Sequence, residues 1–476
     1  MSYFTKYVCF YKLDENHTLL LNTITSAMDI VDNDTYDKIQ EMIKDSKNIN
    51  CKPNELLSRK LNLRGYIFEN VEEEKKQINK LITINQKMQD KKVPYRFVIC
   101  PTMGCNLRCT YCFEGEELHK KFDLLSDGQL ATIFNCIKEC SARYIEQQKS
   151  EPSIGSGRQP YITLFGGEPL LKCNFNIVKK ILDFARQVKM PVAIVTNATT
   201  IDDDYYDLLR KYKDNFMTIQ VTMDGNKSVH DKRRIHADGS GTFESICDGI
   251  NKILKIGIKI NLRINVDTEN ISQLGELEEV FKKQGWSKNP LFVPYASPVK
   301  CYNENKNSDD IITESSLLNT LIKKGFYGKE NSFLNTLLSP VYGITTSFFN
   351  TPGNKTKPLK QTYCEGTSGT QYCFTPDGCI STCLTCVGNK DYRVGTFDEN
   401  GVNIDDYRLQ KWTRRSPFEM DKCKNCKYVF LCGGGCPVEA LESNHDINCP
   451  ECDDIENTLK EYVEHIKNKL LRSKEK

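Results

Sequence analysis

The chain has 476 residues, 39% of them apolar and 27% charged, the composition of a soluble globular protein about three domain lengths long. Its 65 basic and 63 acidic side chains leave a formal charge of +2, against the basic excess expected of a nucleic-acid binder. No apolar run approaches the ~20 residues of a membrane span, and Met1 to Ile30 lacks the layout of a signal peptide, so the expectation is a cytoplasmic protein without membrane or nucleic-acid partners.

In chain order, residues 1–90 open with Tyr7 to Tyr11 and Thr18 to Leu21, two β-rich runs around polar turn residues that predict a hairpin. Asp34 and Thr35 then read as the cap of an amphipathic helix ending at Ile43. A second helix is expected over Glu55 to Leu61, a third strand over Tyr66 to Phe68, and a charged helical bridge over Val71 to Lys92.

Residues 93–300 alternate strands with helices. Strands are expected at Arg96 to Cys100, Tyr161 to Phe165, Val192 to Thr196, Met217 to Thr222, Ile258 to Val266 and Leu291 to Pro294. Helical patterns such as Asn176 to Val188 and Ser245 to Ile256 lie between them, and repeated β–α units imply a parallel sheet. Residues 301–360 are rich in Asn, Ser, Lys and Thr and read as a bridge that lines a substrate channel; they hold a helical piece at Ser315 to Lys324 and a Pro/Gly-bearing stretch at Ser339 to Lys360.

Cysteine carries the chemistry. Twenty-two cysteines are under 5% of the chain, too few for a disulfide scaffold, so spaced cysteines are first read as metal ligands. Eight are scattered and read as small buried hydrophobes. Cys105, Cys109 and Cys112 form a C-x3-C-x2-C triplet with Tyr111 before the third thiol. Three such thiolates hold three corners of an iron–sulfur cube and leave the fourth iron open. Zinc normally closes with a fourth Cys or His, and the nearest, His119, is poorly spaced.

Three further motifs follow expected strands. Gly166-Gly167-Glu168-Pro169 follows the second, where paired glycines permit close backbone approach. Thr196-Asn197 ends the third. Asp224-Gly225 ends the fourth, as a general base or simply a turn. Eleven cysteines lie between Cys364 and Cys452. Cys364 precedes Gly378 by thirteen intervening residues, and four more lead to Cys383; Thr375 to Gly378 reads as a hairpin turn that brings the two cysteines together. Cys423-x2-Cys426-x5-Cys432-x3-Cys436 follows, and twelve residues later Cys449.

The triplet and the Gly-Gly-Glu-Pro run resemble the signatures of the radical SAM superfamily, and the later cysteines resemble its SPASM extension. The resemblance implies a partial (β/α)6 barrel over 93–300, a winged-helix-like peptide-recognition domain over 1–90 and a SPASM iron–sulfur domain over 361–476. It implies three [4Fe–4S] clusters and S-adenosylmethionine, bound by Tyr111, Gly166, Gly167, Glu168, Thr196, Asn197 and an arginine, Arg234 or Arg263. Cys105, Cys109 and Cys112 hold the first cluster. Cys364, Cys383 and Cys436 hold the first auxiliary cluster, whose fourth ligand is Cys373, Cys379, Cys386 or no protein group. Cys423, Cys426 and Cys432 with Cys449, or Cys452 in its place, hold the second.

The whole resembles the maturases of ribosomally made peptides that form Cys-to-carbon thioethers, the sactipeptide and ranthipeptide types. The partners implied are a Cys-containing precursor peptide and an electron donor such as flavodoxin or ferredoxin. A carbon–carbon crosslinking maturase, an anaerobic sulfatase-maturating enzyme and a non-catalytic iron–sulfur scaffold are the alternatives. Paired C-x2-C motifs also fit zinc ribbons, but zinc does not explain the triplet.

Overall fold

The computed structural model describes residues 3–45, 55–151, 157–300, 310–325, 362–452 and 454–474. The stretch 339–360 read as part of a channel lies outside them. No helix among the described residues is long and apolar enough to cross a membrane.

Six parallel strands stand side by side in chain order: Arg96–Ile99, Tyr161–Leu164, Val192–Thr196, Phe216–Thr222, Ile260–Val266 and Phe292–Pro298. This is the α/β layout expected of a partial (β/α)6 barrel, and each expected strand falls within a few residues of its observed place. Phe97, Ile99, Ile162, Leu164, Val192, Ile194, Ile219, Val221, Ile260 and Leu262 have no exposed surface, and crossover helices close over them. Two of those helices show how the sequence ends them. Ser126 and Gln129 form a reciprocal capping box at the start of Asp127–Ser150. Gly257, at φ 91°, stops Phe243–Ile256 in the left-handed conformation that glycine tolerates.

The sheet does not end at the first strand. Gln371–Phe374 adds to the free edge of Arg96–Ile99 in parallel, with Cys373 opposite Val98. It turns through Thr375 to Gly378 into Cys379–Ser381, and Gly395–Phe397 and Val402–Ile404 complete a ten-stranded sheet. The hairpin expected at Thr375 to Gly378 is present, and the cysteine-rich region is thereby anchored to the barrel by backbone ladders.

The N-terminal region forms a three-stranded antiparallel sheet, Val8–Lys12, His17–Asn22 and Met28–Asp32, followed by helices Asn33–Asp45 and Glu55–Leu63. The helix cap differs from expectation: Asp32, not Asp34, accepts the Thr35 amide, at 2.8 Å, and the helix begins at Asn33. The region packs on the C-terminal cysteines rather than on the barrel strands. Cys9 and Leu21 meet Tyr428, Leu431 and Leu459, while Tyr7 meets Cys423 and Phe430. The Thr23 hydroxyl donates to the Lys427 carbonyl at 2.6 Å.

Candidate active site

The triplet lies on a loop and short strand, Leu107–Cys109, at the C-terminal ends of the parallel strands, where α/β proteins place their ligands. Burial pushes all three thiols above the ordinary range; the Arg234 guanidinium opposes this at Cys109. Arg234 sits there because Arg234–His236 pairs antiparallel with Leu107–Cys109, which sets Arg234 directly opposite Cys109. Its Nη1 donates to the Tyr111 hydroxyl at 3.0 Å. Its buried Nε has no hydrogen-bond partner, and among the described residues no carboxylate pairs with it. Asp224 acts on it through the shared Tyr111 hydroxyl, and the unbonded Nε remains a donor suited to an anion. Arg263, the other candidate, donates instead to Asn265 and Ser297.

The glycines at 166 and 167 serve a contact the sequence did not suggest. A Cβ on Gly167 would lie 2.3 Å from the carbonyls of Met103 and Gly104, and one on Gly166, at φ 101°, would lie 2.6 Å from that of Thr102. The two loops therefore touch backbone to backbone, and the Glu168 amide donates to Gly104 at 3.0 Å. Glu168 is fully buried and accepts from the Leu170 amide (2.8 Å), the Thr196 hydroxyl (2.7 Å) and the Asn197 amide (2.7 Å). Burial holds its pKa up at about 6. Three of about four acceptor positions on the carboxylate are used, which leaves one for an ammonium group. Asn197 donates to Asn106 at 2.9 Å, inside the triplet, so the third strand end, the glutamate and the cysteine loop are one hydrogen-bonded unit.

Asp224 is neither a free base nor a plain turn. It has no exposed surface, and it accepts from the Tyr111 hydroxyl and from the Asn265 amide, at 3.0 Å. Arg233 lies 3.6 Å away and is held by Asp267 at 2.8 Å and Glu269 at 2.7 Å, over the face of Tyr111. Tyr111 is thus clamped by Asp224, Arg234 and Asn265. His230 completes the support. Its Nδ1 accepts from the Asp224 amide at 3.3 Å, and its Nε2 faces Thr242, whose hydroxyl donates to the Arg234 carbonyl. Burial drives its pKa down to about 4, so the ring is neutral at pH 7.

His119, set aside on spacing, folds back onto the triplet. Its carbonyl accepts the Cys105 amide at 3.1 Å, and its Nε2 lies 3.3 Å from Cys112 Sγ and 3.6 Å from Glu114. Cys112, Glu114 and His119 are close enough together to hold a metal ion. The case for an open iron therefore rests on the three thiols with Arg234 and Glu168, not on the absence of a fourth donor.

The later cysteines fall into two groups. In the first, Cys383 interacts with Cys364 and Cys436, and Cys386 hydrogen-bonds to Cys383 across a tight C-x2-C turn. Cys386 is the fourth member brought together here. Cys373, bonded to Gln371 at 3.5 Å, also approaches Cys383 and Cys386, while Cys379 faces Asp377 and Arg393 instead. In the second group, Cys423 interacts with Cys432, Cys452 and Cys426. The Cys449 thiol is directed to Asp446, at 4.0 Å, so of the two late cysteines the structure brings Cys452 to the group. Amides donate to sulfur at both ends of the molecule: Leu107 to Cys105 and Tyr428 to Cys426, each at 3.4 Å. Thiols served by amide donors suit thiolate ligation of a metal cluster.

Residues 99–281 match the model of the radical SAM superfamily. The chain is 25% identical over 515 residues to the radical SAM cyclopropyl synthase TigE of Paramaledivibacter caminithermalis, covering 98% of this chain and 96% of that one. It is 24% identical over 340 residues to the cysteine-type anaerobic sulfatase-maturating enzyme of Clostridium novyi, covering 70% of this chain and 85% of the relative. The structure of Streptococcus suis SuiB bound to its precursor peptide SuiA superposes with a TM-score of 0.54 at 16% identity, over 96% of this chain and 99% of that one.

Proposed function

We propose, from the premise that residues 99–281 are a radical SAM domain, that this chain is a maturase that forms an intramolecular link in a ribosomally made precursor peptide. The observation that carries this reading is the joint presence of a complete cofactor frame at the barrel mouth and an N-terminal unit docked on the second cysteine group. One [4Fe–4S] cluster and S-adenosylmethionine are the cofactors of the superfamily. Cys105, Cys109 and Cys112 hold the cluster; Glu168 takes the cofactor's ammonium and Arg234 its carboxylate, while Gly166, Gly167, Thr196, Asn197 and Tyr111 fix the loops around them. Bound and reduced there, these cofactors would supply a 5′-deoxyadenosyl radical for hydrogen abstraction from a peptide carbon, and auxiliary clusters would supply sites for the second electron.

The auxiliary clusters are assigned to Cys364, Cys383, Cys386 and Cys436, and to Cys423, Cys426, Cys432 and Cys452. Residues 1–90 bind the leader of the peptide, and a flavodoxin or ferredoxin supplies electrons. Similarity to TigE and SuiB runs over nearly the whole chain, whereas the sulfatase-maturating enzyme of Clostridium novyi matches 70% of it, which favours a precursor peptide over a sulfatase.

Two bonds fit. The thioether reading rests on the concentration of thiols at the first auxiliary group. A carbon–carbon reading is favoured by Cys386, which fills the fourth position that a substrate thiolate needs, and by the similarity to a cyclopropyl synthase, since a cyclopropane ring contains carbon alone. The test uses a candidate Cys-containing precursor peptide, treated with enzyme, reductant and S-adenosylmethionine, then reduced and alkylated. A two-hydrogen loss with one alkyl group fewer establishes the thioether, and the same loss with full alkylation establishes a carbon–carbon link. Conversion of a single Cys or Ser to an aldehyde overturns both.

A further inference from the structure

Arg415 follows the helix Asp406–Thr413 and is 3% exposed. Its guanidinium donates four hydrogen bonds: Nε to the Ile447 carbonyl at 2.5 Å, Nη1 to Gly435 at 3.0 Å, and Nη2 to Gly434 at 2.8 Å and Cys449 at 3.1 Å. Four of its five N–H donors are thus placed, every one on a neutral backbone oxygen. Among the described residues no carboxylate lies within ion-pair distance. Carbonyls solvate a buried cation but do not neutralise it, and a buried charge without a counter-charge is strongly unfavourable.

The acidic groups that act most strongly on Arg415 are thiols, and they come from both cysteine groups. Cys436 and Cys364 belong to the first, Cys423 and Cys432 to the second. The chain between the groups is Cys432-Gly433-Gly434-Gly435-Cys436, and its three glycines sit at φ 74°, 89° and 79°. A run of three left-handed residues is open to glycine and strained for anything else. A Cβ on Gly435 would fall 1.5 Å from the Glu451 carbonyl, and one on Gly434 would press on Arg415 Nη1 at 3.2 Å. This conformation places the carbonyls of Gly434 and Gly435 on the guanidinium, so the arginine and the glycine bridge fix one another.

We propose that Arg415 is a positioning residue shared by the two auxiliary clusters: its buried charge is balanced by their thiolates, and it sets the reduction potential of both. The inference rests on the reading that these cysteines hold iron–sulfur clusters. A reduced cluster carries one more negative charge than an oxidised one, so a fixed cation beside it favours reduction and raises the potential, as net charge and hydrogen bonding do in such sites. One cation between two clusters raises both.

The test is made on the full chain carrying Cys105→Ala, Cys109→Ala and Cys112→Ala, so that only auxiliary clusters contribute signal. Iron content and the midpoint potentials of both clusters are measured by redox titration with electron paramagnetic resonance, for Arg415, Arg415→Lys and Arg415→Gln. Lysine keeps the charge; glutamine keeps donors without it. The expected result is parent-like iron and midpoints for lysine, with both midpoints displaced to lower potential for glutamine. Loss of iron from glutamine while lysine retains it supports the same conclusion. Full iron and unchanged midpoints for glutamine overturn it, as does a shift in one cluster alone or equal iron loss from both variants. A parent chain that binds no iron sinks the cluster reading itself, and the inference with it.

Discussion

The barrel mouth and the C-terminal cysteine region each hold a buried arginine, Arg234 and Arg415, with no carboxylate within ion-pair distance among the described residues, yet the two are built differently. At the mouth, the protein holds itself together. Glu168, Thr196, Asn197 and Asn106 form one chain of hydrogen bonds, Asp224 clamps Tyr111, and Arg234 reaches the same hydroxyl. In the C-terminal region the described elements around the thiols are short: a single turn at Val429–Cys432, a glycine run and a C-x2-C turn. The hydrogen bonds of Arg415 there go to backbone oxygens, and the acidic groups that act most on it are thiols. The mouth is held by hydrogen bonds within the protein; on the proposed reading, the thiols of the C-terminal region gain their order from metal.

The largest test of that contrast is growth without iron. Because ligands converge only in the folded state, structural metal binding is itself folding free energy, about 10–16 kcal/mol for small zinc domains. Hydrogen exchange on iron-free chain should show residues 423–452 unprotected, while the strands from Arg96 to Val266 and the strands paired to them at Gln371–Phe374 and Cys379–Ser381 stay protected. Equal loss of protection in both regions would remove the contrast.

The next test titrates the mouth. His230 is held neutral by burial, with its pKa lowered from 6.5 to about 4, a preference for the neutral ring of about 3 kcal/mol at most. Its contribution to stability is complete above pH 6.5 and is lost as pH falls toward 4. Denaturant titrations of His230→Gln should be less stable than wild type at pH 7 and should converge with it near pH 4. Parallel curves across that range would place the histidine outside the load of the mouth.

Gly167→Ala comes third. The added Cβ meets two carbonyls at 2.3 Å, so the loops must part, with a cost of about 1–3 kcal/mol by analogy with overpacked cores. Lower melting temperature and weakened S-adenosylmethionine binding should appear together. Unchanged binding would show that the loop contact and the cofactor site are independent.

Glu168 gives the smallest effect. Its carboxyl titrates at about 6 because it is buried, and only the ionised form attracts an ammonium. S-adenosylmethionine affinity, measured by equilibrium dialysis, should rise as pH passes upward through 6 and then level; Glu168→Gln should bind weakly with no step there.

Much of this architecture was legible in the sequence, for local reasons. Apolar runs bounded by turns marked the six parallel strands, and cysteine spacing marked the triplet and the later cysteine-rich stretch. Met28–Asp32 escaped because its half-exposed Met-Asp-Ile-Val-Asp pattern carries no strong alternation. The parallel pairing of Gln371–Phe374 with Arg96–Ile99 escaped because it joins segments about 270 residues apart. At the site, residue types were readable and partners were not. Gly167 was read as room for a ligand and proves to be room for another loop. Asp224 and Arg415 act through long-range contacts that no local pattern records, and His119 was discounted because distance along the chain is a poor guide to distance across a turn. Which of Cys373, Cys379 and Cys386 approaches Cys383 depends on the fold: the first and last do, and Cys379 turns to Asp377 and Arg393.

The most direct measurement is iron and 5′-deoxyadenosine in the anaerobically purified chain and in its Cys105→Ala, Cys109→Ala, Cys112→Ala variant. Three cubane clusters predict about twelve irons per chain, and the variant should retain about eight and form no 5′-deoxyadenosine. A colourless chain with stoichiometric zinc, or a variant that still cleaves S-adenosylmethionine, contradicts the account.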